Sequence, residues 1–219
     1  MKNVLPFLKK LKSNNNNEWF DKNRTEYLSA KQSVEILVGK VIQQINAFDK
    51  AIDKSTDPKK CLFRINKDVR FSKDKSPYKT NFGASIAPGG KKTANPGYYI
   101  HIAPGEIFIA GGSYMPEPVQ LNAFRQEIDY NGKELVKILK SKSFSTYFDG
   151  IDKIDVLKTT PKGFAKDHPH IDLLRNKHFI VSHSFTEKDL LSSDFDKKIV
   201  KCFKAMHPFI EFLRKSSSN

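Results

Sequence analysis

"FGASIAPGGKKTANPGYYIHIAPGEIFIAGGSYMPEP", Phe82 to Pro118, is the stretch that decides the fold. Within it Phe82 to Ala87, Tyr98 to Ala103 and Glu106 to Ala110 read as strands, and in the second Tyr99 and His101 alternate with Ile100 and Ile102. That period of two sends successive side chains to opposite faces of a strand. The intervening "APGGKKTANPG" and "APGE" carry Pro and Gly, which supply turn conformations. The short Pro104-Gly105 link cannot hold a parallel crossover and predicts an antiparallel hairpin. Gly111 and Gly112 are expected at a strand end, where the missing Cβ permits a sharp turn or close backbone approach.

Before this stretch the chain reads as helical. Asn3 to Lys12 forms a short helix, and "SNNNN" breaks it. Asn15 with Glu18 three residues later is the expected capping box of a second helix. From Trp19 the apolar positions Phe20, Tyr27, Val34, Leu37, Val38, Val41, Ile45 and Phe48 recur near multiples of 3.6, predicting one long amphipathic helix to Phe48. Trp19, Asn23 and Tyr27 share one stripe of it, and packing accounts for the first and last but not for Asn23. "CLFRINKDVRF" then alternates Phe63, Ile65, Val69 and Phe71 with Arg64, Asn66, Asp68 and Arg70, which reads as another strand.

After Pro118 helices are expected to Asp129 and from Gly132 to Lys140. "HFIVSHSF" reads as a strand, with Thr186 and Ser193 as caps of the closing helices. The last helix, Asp194 to Arg214, carries Phe195, Ile199, Cys202, Phe203, Met206, Ile210 and Leu213 on one side. Helices, then clustered strands, then helices predict an α+β fold with a mostly antiparallel sheet. No repeat or linker divides the 219 residues, so a single domain is expected, with Lys142 to Lys158 its weakest join.

Composition narrows the function classes. Hydrophobic residues make up 38% and charged residues 28%, with 17 Phe, which is a globular and aromatic-rich balance. No apolar run is long enough for a membrane span and the N-terminus lacks the pattern of a signal peptide, so a cytoplasmic protein is expected. Cys61 and Cys202 lack ligand spacing and read as reduced core thiols. The formal charge is +14, and Lys54 to Lys92 alone holds eleven Lys/Arg against three Asp. Such an excess attracts nucleic acid, anionic metabolites or membrane surface.

Candidate site residues concentrate there. Arg64, Asn66, Asp68 and Arg70 on one strand face would make either an anion-binding wall of guanidinium forks or a structural salt-bridge network. Lys75, Tyr78, Lys79 and Asn81 follow from a loop fixed by Pro77, and its spacing is not that of a P-loop. His101 alternates with Ile100 and Ile102 and shares a face with Tyr99. With Asp68 it forms the best candidate proton-transfer pair if the two strands present one face. "DHPH", Asp167 to His170, lacks further ligand spacing, so a turn is expected rather than a metal site. Arg175 on the following helix is a further candidate anion ligand. No Walker, Rossmann, GxSxG or zinc-deaminase motif appears, so no cofactor is expected.

Four blocks, "NNNNEWFDKNRTEYL", "FRINKDVRFSKDKSPYKTNFGASI", "GYYIHIAPGEIFIAGGSYMPEP" and "TTPKGFAKDHPHIDLLRNKHF", together resemble the domain of unknown function 2461 over about Leu5 to Phe212. The resemblance implies no activity, substrate or cofactor. Lys67 stands where the pattern favours Arg, and Ala103 where an acidic residue is common.

The expected partner is a small anion bearing phosphate or carboxylate. Any reaction would be hydrolysis or group transfer, with Arg64 and Arg70 stabilising negative charge and Asp68 or His101 moving a proton. Two alternatives stand beside this. One is a nucleic-acid module using Lys54 to Lys92, with Tyr78, Phe82, Tyr98 and Tyr99 as stacking platforms. The other is a structural polar network in an interaction protein.

Overall fold

A computed structural model describes residues 1–216. Helices α1 (Val4–Ser13), α2 (Asn17–Lys22) and α3 (Arg24–Ile45) and the single turn α4 (Pro58–Cys61) precede strands β1 (Phe82–Ile86), β2 (Gly97–Ala103) and β3 (Glu106–Ser113). They are followed by α5 (Pro118–Leu139), α6 (Lys142–Ser145), α7 (Ile171–Leu174), β4 (Phe179–Phe185), α8 (Glu187–Leu191) and α9 (Phe195–Ser216). The strands form one antiparallel sheet in the order β1-β2-β3-β4, and the fold is α+β.

The register aligns Ala84, Ile100, Ile109 and His183 across one face. That face is covered by helices: α9 packs across β3, α3 reaches β1, and α5 lies beside α9. Tyr98 meets Phe203 at 4.8 Å between ring centroids, and a Cβ on Gly111 would stand 2.2 Å from the Met206 sulfur. Each large apolar side chain buried here contributes about 1.5–3 kcal/mol. Gly112 adopts φ +123°, and a Cβ there would lie 1.9 Å from the Phe179 carbonyl oxygen. The two glycines therefore sit at the end of β3, as expected, and each serves close approach.

Several expectations need correction. Residues 63–71 are not a regular strand. Only the isolated bridges Leu62↔Ala84 and Asn66↔Tyr78 form there, supported by Lys67 N–H to Pro77 O and Lys79 N–H to Ile65 O. Of the four residues expected to point inward only Ile65 is buried, while Phe71 is 96% exposed. Alternating sequence without a continuous partner strand yields an irregular loop, because the backbone pairing that fixes a strand is missing. Asn16, not Asn15, caps α2 by accepting from Trp19 N–H. Asn15 instead clasps both backbone groups of Tyr78, at 2.9 and 3.1 Å.

The long helix expected from Trp19 to Phe48 breaks at Asn23, which has φ −107° and ψ 19° and folds its amide onto Trp19 O. Asn23 thus terminates α2 and opens α3. The two helices expected after Pro118 do meet at a break, the kink at Asn131, whose φ −121° and ψ 21° are not helical. Thr186 and Asp189 do form a capping box at α8. Cys61 and Cys202 are free and buried, and burial pushes the Cys202 thiol up to about 12. Phe144, Phe148 and Ile151 are buried, so the segment Lys142 to Lys158 is fastened to the core.

One buried polar cluster joins the layers. Asp49, 2% exposed, accepts from the Tyr98 hydroxyl at 2.9 Å and from Arg214 at 2.9 Å through both carboxylate oxygens. His207 Nδ1 lies 3.1 Å from the same hydroxyl. Removing one member of a buried charge pair costs far more than the pair contributes. Asp49→Ala is therefore expected to lower the unfolding free energy by about 3–5 kcal/mol, read from urea denaturation. A loss below about 1 kcal/mol, the scale of an exposed pair, would show that the cluster does not tie the layers.

Candidate functional site

The sheet face opposite the helices floors a cavity of about 910 Å³. Small side chains make the floor: Gly83 and Ser85 from β1, Gly97 from β2, Ala110 from β3, and Ser182 and Ser184 from β4. Its side walls come from chain that runs beside the two edge strands. Phe63 N–H donates to Gly83 O at 2.9 Å, which sets residues 62–64 against β1. Asp152 N–H donates to Ile180 O at 2.8 Å, which sets residues 152–154 against β4. The result is a trough.

The β1-side wall is cationic. Lys79 Nζ stands 5.7 Å and Lys91 Nζ 5.9 Å from the Phe63 ring centroid, within cation–π range. Lys79 donates to Arg64 O at 3.1 Å and Lys91 to Leu62 O. Among the described residues no carboxylate lies within 4.0 Å of Arg64, Lys79 or Lys91. Burial first, and then the charges of Arg64 and Lys91, push the Lys79 ammonium below its ordinary value. These cations repel one another, and Asp68, whose charge reaches Arg64, is itself bound to Arg70, so an anion arriving between them relieves that repulsion.

A second polar group stands near the β2–β3 hairpin, with Tyr99, Glu106 and Phe108 among the lining residues and His101 not among them. The Tyr99 hydroxyl lies 3.1 Å from His101 Nδ1, and His101 Nε2 faces Glu106 at 3.8 Å. Phe108 stacks on His101 with 4.6 Å between centroids. A Cβ on Gly83 would stand 2.6 Å from the Tyr99 oxygen, so only glycine leaves the hydroxyl its place. Burial pushes the His101 imidazole down, with Glu106 opposing more weakly, and burial followed by Glu106 pushes the Tyr99 phenol up. A neutral imidazole bonded to a phenol is an arrangement able to hold and move one proton.

The structure brings together only some of the residues singled out from the sequence. Arg64, Lys79 and Asn81 line the trough, joined by Lys91, which sequence reasoning passed over because it lies in a turn. Asp68 and Arg70 pair with each other at 2.7 Å on the exposed loop, and Arg70 is not among the lining residues. Asn66 bridges Tyr78 in that same loop, and Lys75 donates to Val69 O at 3.1 Å. Tyr78 is buried, stacked on Phe20 at 3.9 Å. Arg175 lies 3.6 Å from Asp172, away from the lining. The partners of His101 are Tyr99, Glu106 and Phe108, and those of Asp68 are Arg70 and, through its field, Arg64. His168 accepts from His170 N–H through Nδ1 and donates through Nε2 to the Asp129 carboxylate at 2.9 Å, a clasp between "DHPH" and α5.

The depressed His101 predicts a pH dependence. Between the ordinary histidine value and the lower folded one, the unfolded chain binds a proton that the folded chain does not, so stability falls as pH falls through that window. His101→Phe is expected to reduce the stability lost between pH 7.5 and 5.5 in denaturant titrations. An unchanged loss would show that His101 titrates as it does in the unfolded chain.

No curated protein and no solved structure matches this chain. The family of the conserved hypothetical protein DUF2461 matches residues 3–212, so both walls, the floor and the helical layer up to the last turn of α9 fall within it, and the chain belongs to that family.

Proposed function

We propose that the trough binds a small ligand bearing a phosphate or carboxylate group, held by Arg64, Lys79 and Lys91. The observation that carries this reading is the convergence of three cations without a carboxylate partner on one wall of a concave site. Guanidinium and ammonium groups with free donors are the usual anion ligands, and the cavity falls within the roughly 300–1,000 Å³ of small-molecule sites. The Tyr99–His101 pair beside it supports hydrolysis or group transfer as the reaction class, with Tyr99 and His101 managing a proton while the cations stabilise developing charge.

A thermal-shift screen with ribose 5-phosphate, glycerol 3-phosphate and citrate tests this. At about 100 times its Kd a ligand stabilises the fold by about 2.7 kcal/mol. A chain of this size then shifts by about 5–11 °C. The shift is expected to vanish in the Lys79→Gln/Lys91→Gln double variant. A panel without any shift, or a shift that survives the double variant, would defeat the reading.

A nucleic-acid reading draws on a different feature, the exposed loop tip. Phe71 stands free beside Arg70, whose guanidinium is 5.9 Å from the ring centroid, and Lys73 and Lys75 flank it. The platforms expected from the sequence serve it less well, since Tyr78, Phe82 and Tyr98 are all buried in the core. On this reading a single-stranded oligonucleotide binds with an affinity that falls steeply with salt and drops by about 5- to 150-fold in Phe71→Ala, the 1–3 kcal/mol of one stacked base. Fluorescence anisotropy at two salt concentrations measures both effects.

A further inference from the structure

The trough is wider and more asymmetric than a simple anion requires. Its four strands alone span roughly 14 Å, at about 4.8 Å per interstrand step, and the walls stand beyond them. Opposite the three cations, residues 152–154 raise the Asp152 carboxylate and the half-exposed Ile154 over the far margin. Asp152 has Ser182 as its hydrogen-bonding neighbour and no cation within 4.0 Å among the described residues. Burial, with the like charge of Asp149 adding to it, raises its carboxyl above the ordinary range. A half-buried carboxylate without a cation calls for N–H or O–H donors from elsewhere. Between the walls lie a flat floor of Ser and Ala side chains and the apolar surfaces of Phe108 and Ile180.

A ligand that satisfies every part of this surface carries an anion at one end, a flat apolar body in the middle and N–H donors at the other end. Resting on the anion reading above, we propose that the trough takes a nucleoside monophosphate, with its phosphate at Arg64, Lys79 and Lys91 and the donor edge of its base at Asp152. Guanine fits this polarity best, since its N1–H and exocyclic amine both point at one carboxylate and make a bidentate, charge-assisted pair. A dicarboxylate long enough to cross the trough would set its second carboxylate against Asp152, like charge on like charge. A sugar phosphate would leave Asp152 and Ile154 without a partner.

Isothermal titration of the full chain with ribose 5-phosphate, guanosine 5′-monophosphate, inosine 5′-monophosphate and a short single-stranded oligonucleotide tests the assignment. Guanosine 5′-monophosphate is expected to bind at least ten-fold tighter than ribose 5-phosphate, with inosine 5′-monophosphate between them because it lacks the exocyclic amine. In Asp152→Ala, whose fold is checked by its melting temperature, the guanosine and ribose phosphates are expected to bind alike, with ribose 5-phosphate unchanged. Equal binding of the two in the wild-type chain, or a guanosine advantage that survives Asp152→Ala, overturns the base assignment. The anion reading still stands in that case if Lys79→Gln/Lys91→Gln abolishes ribose 5-phosphate binding. No binding of any mononucleotide or of ribose 5-phosphate, whether or not the oligonucleotide binds, overturns both.

Discussion

One-sided burial of the sheet is the constraint on which the rest of this structure depends. Alternation along each strand sends Ile100, Ile102, Ile107, Ile109 and Val181 toward the helices, where they are almost wholly removed from water. The same alternation necessarily sends the intervening residues the other way. At most of those positions the chain has Gly, Ala or Ser, so the second face cannot build a core of its own. It stays open as a shallow floor, and its function is decided by whatever the flanking loops bring to its margins. Stability and site are thus two faces of one pattern.

The loops are held at those margins by ordinary backbone hydrogen bonds and a few side-chain clasps. Residues 62–64 and 152–154 extend the sheet by a single bond or bridge on each side, enough to place a wall and too little to cover the floor. Asn15 offers Tyr78 both an acceptor and a donor, as a neighbouring strand would. Tyr78 in turn stacks on Phe20, so the residue before Lys79 is fixed by the helical layer. A long, basic and largely irregular segment acquires a defined end in this way.

Elements with strong periodicity were legible from the sequence: the three clustered strands, the strand of "HFIVSHSF" and the apolar stripe of α9 all stand where the pattern puts them. Residues 63–71 show the limit of that signal. Their alternation is as regular as that of β2, but pairing is decided by a partner in space, and only two bridges reach this segment. The candidate residues named from the sequence were only partly brought together. Arg64, Lys79 and Asn81 line the trough because they lie close to the points where the loop meets the sheet, whereas Asp68 and Arg70 lie at its far end and satisfy each other. Lys91 comes from a turn and Asp152 from an irregular segment, both without periodicity, and no local rule of sequence aims such a residue across a sheet. Gly83 gave a readable signal in retrospect, being a glycine within a strand, where close approach of another group is a standing explanation.

The clasp on Tyr78 also has an optical consequence. The chain contains one tryptophan, Trp19, whose ring packs against Phe7 at the start of the helical layer. Its immediate neighbour in sequence, Phe20, is the ring that stacks on Tyr78, and Tyr78 leads directly into Lys79 on the cationic wall. The indole thus stands at the far end of a short mechanical linkage to the trough. The protein carries its own fluorophore for following that wall, without a label and without disturbing any residue of the site.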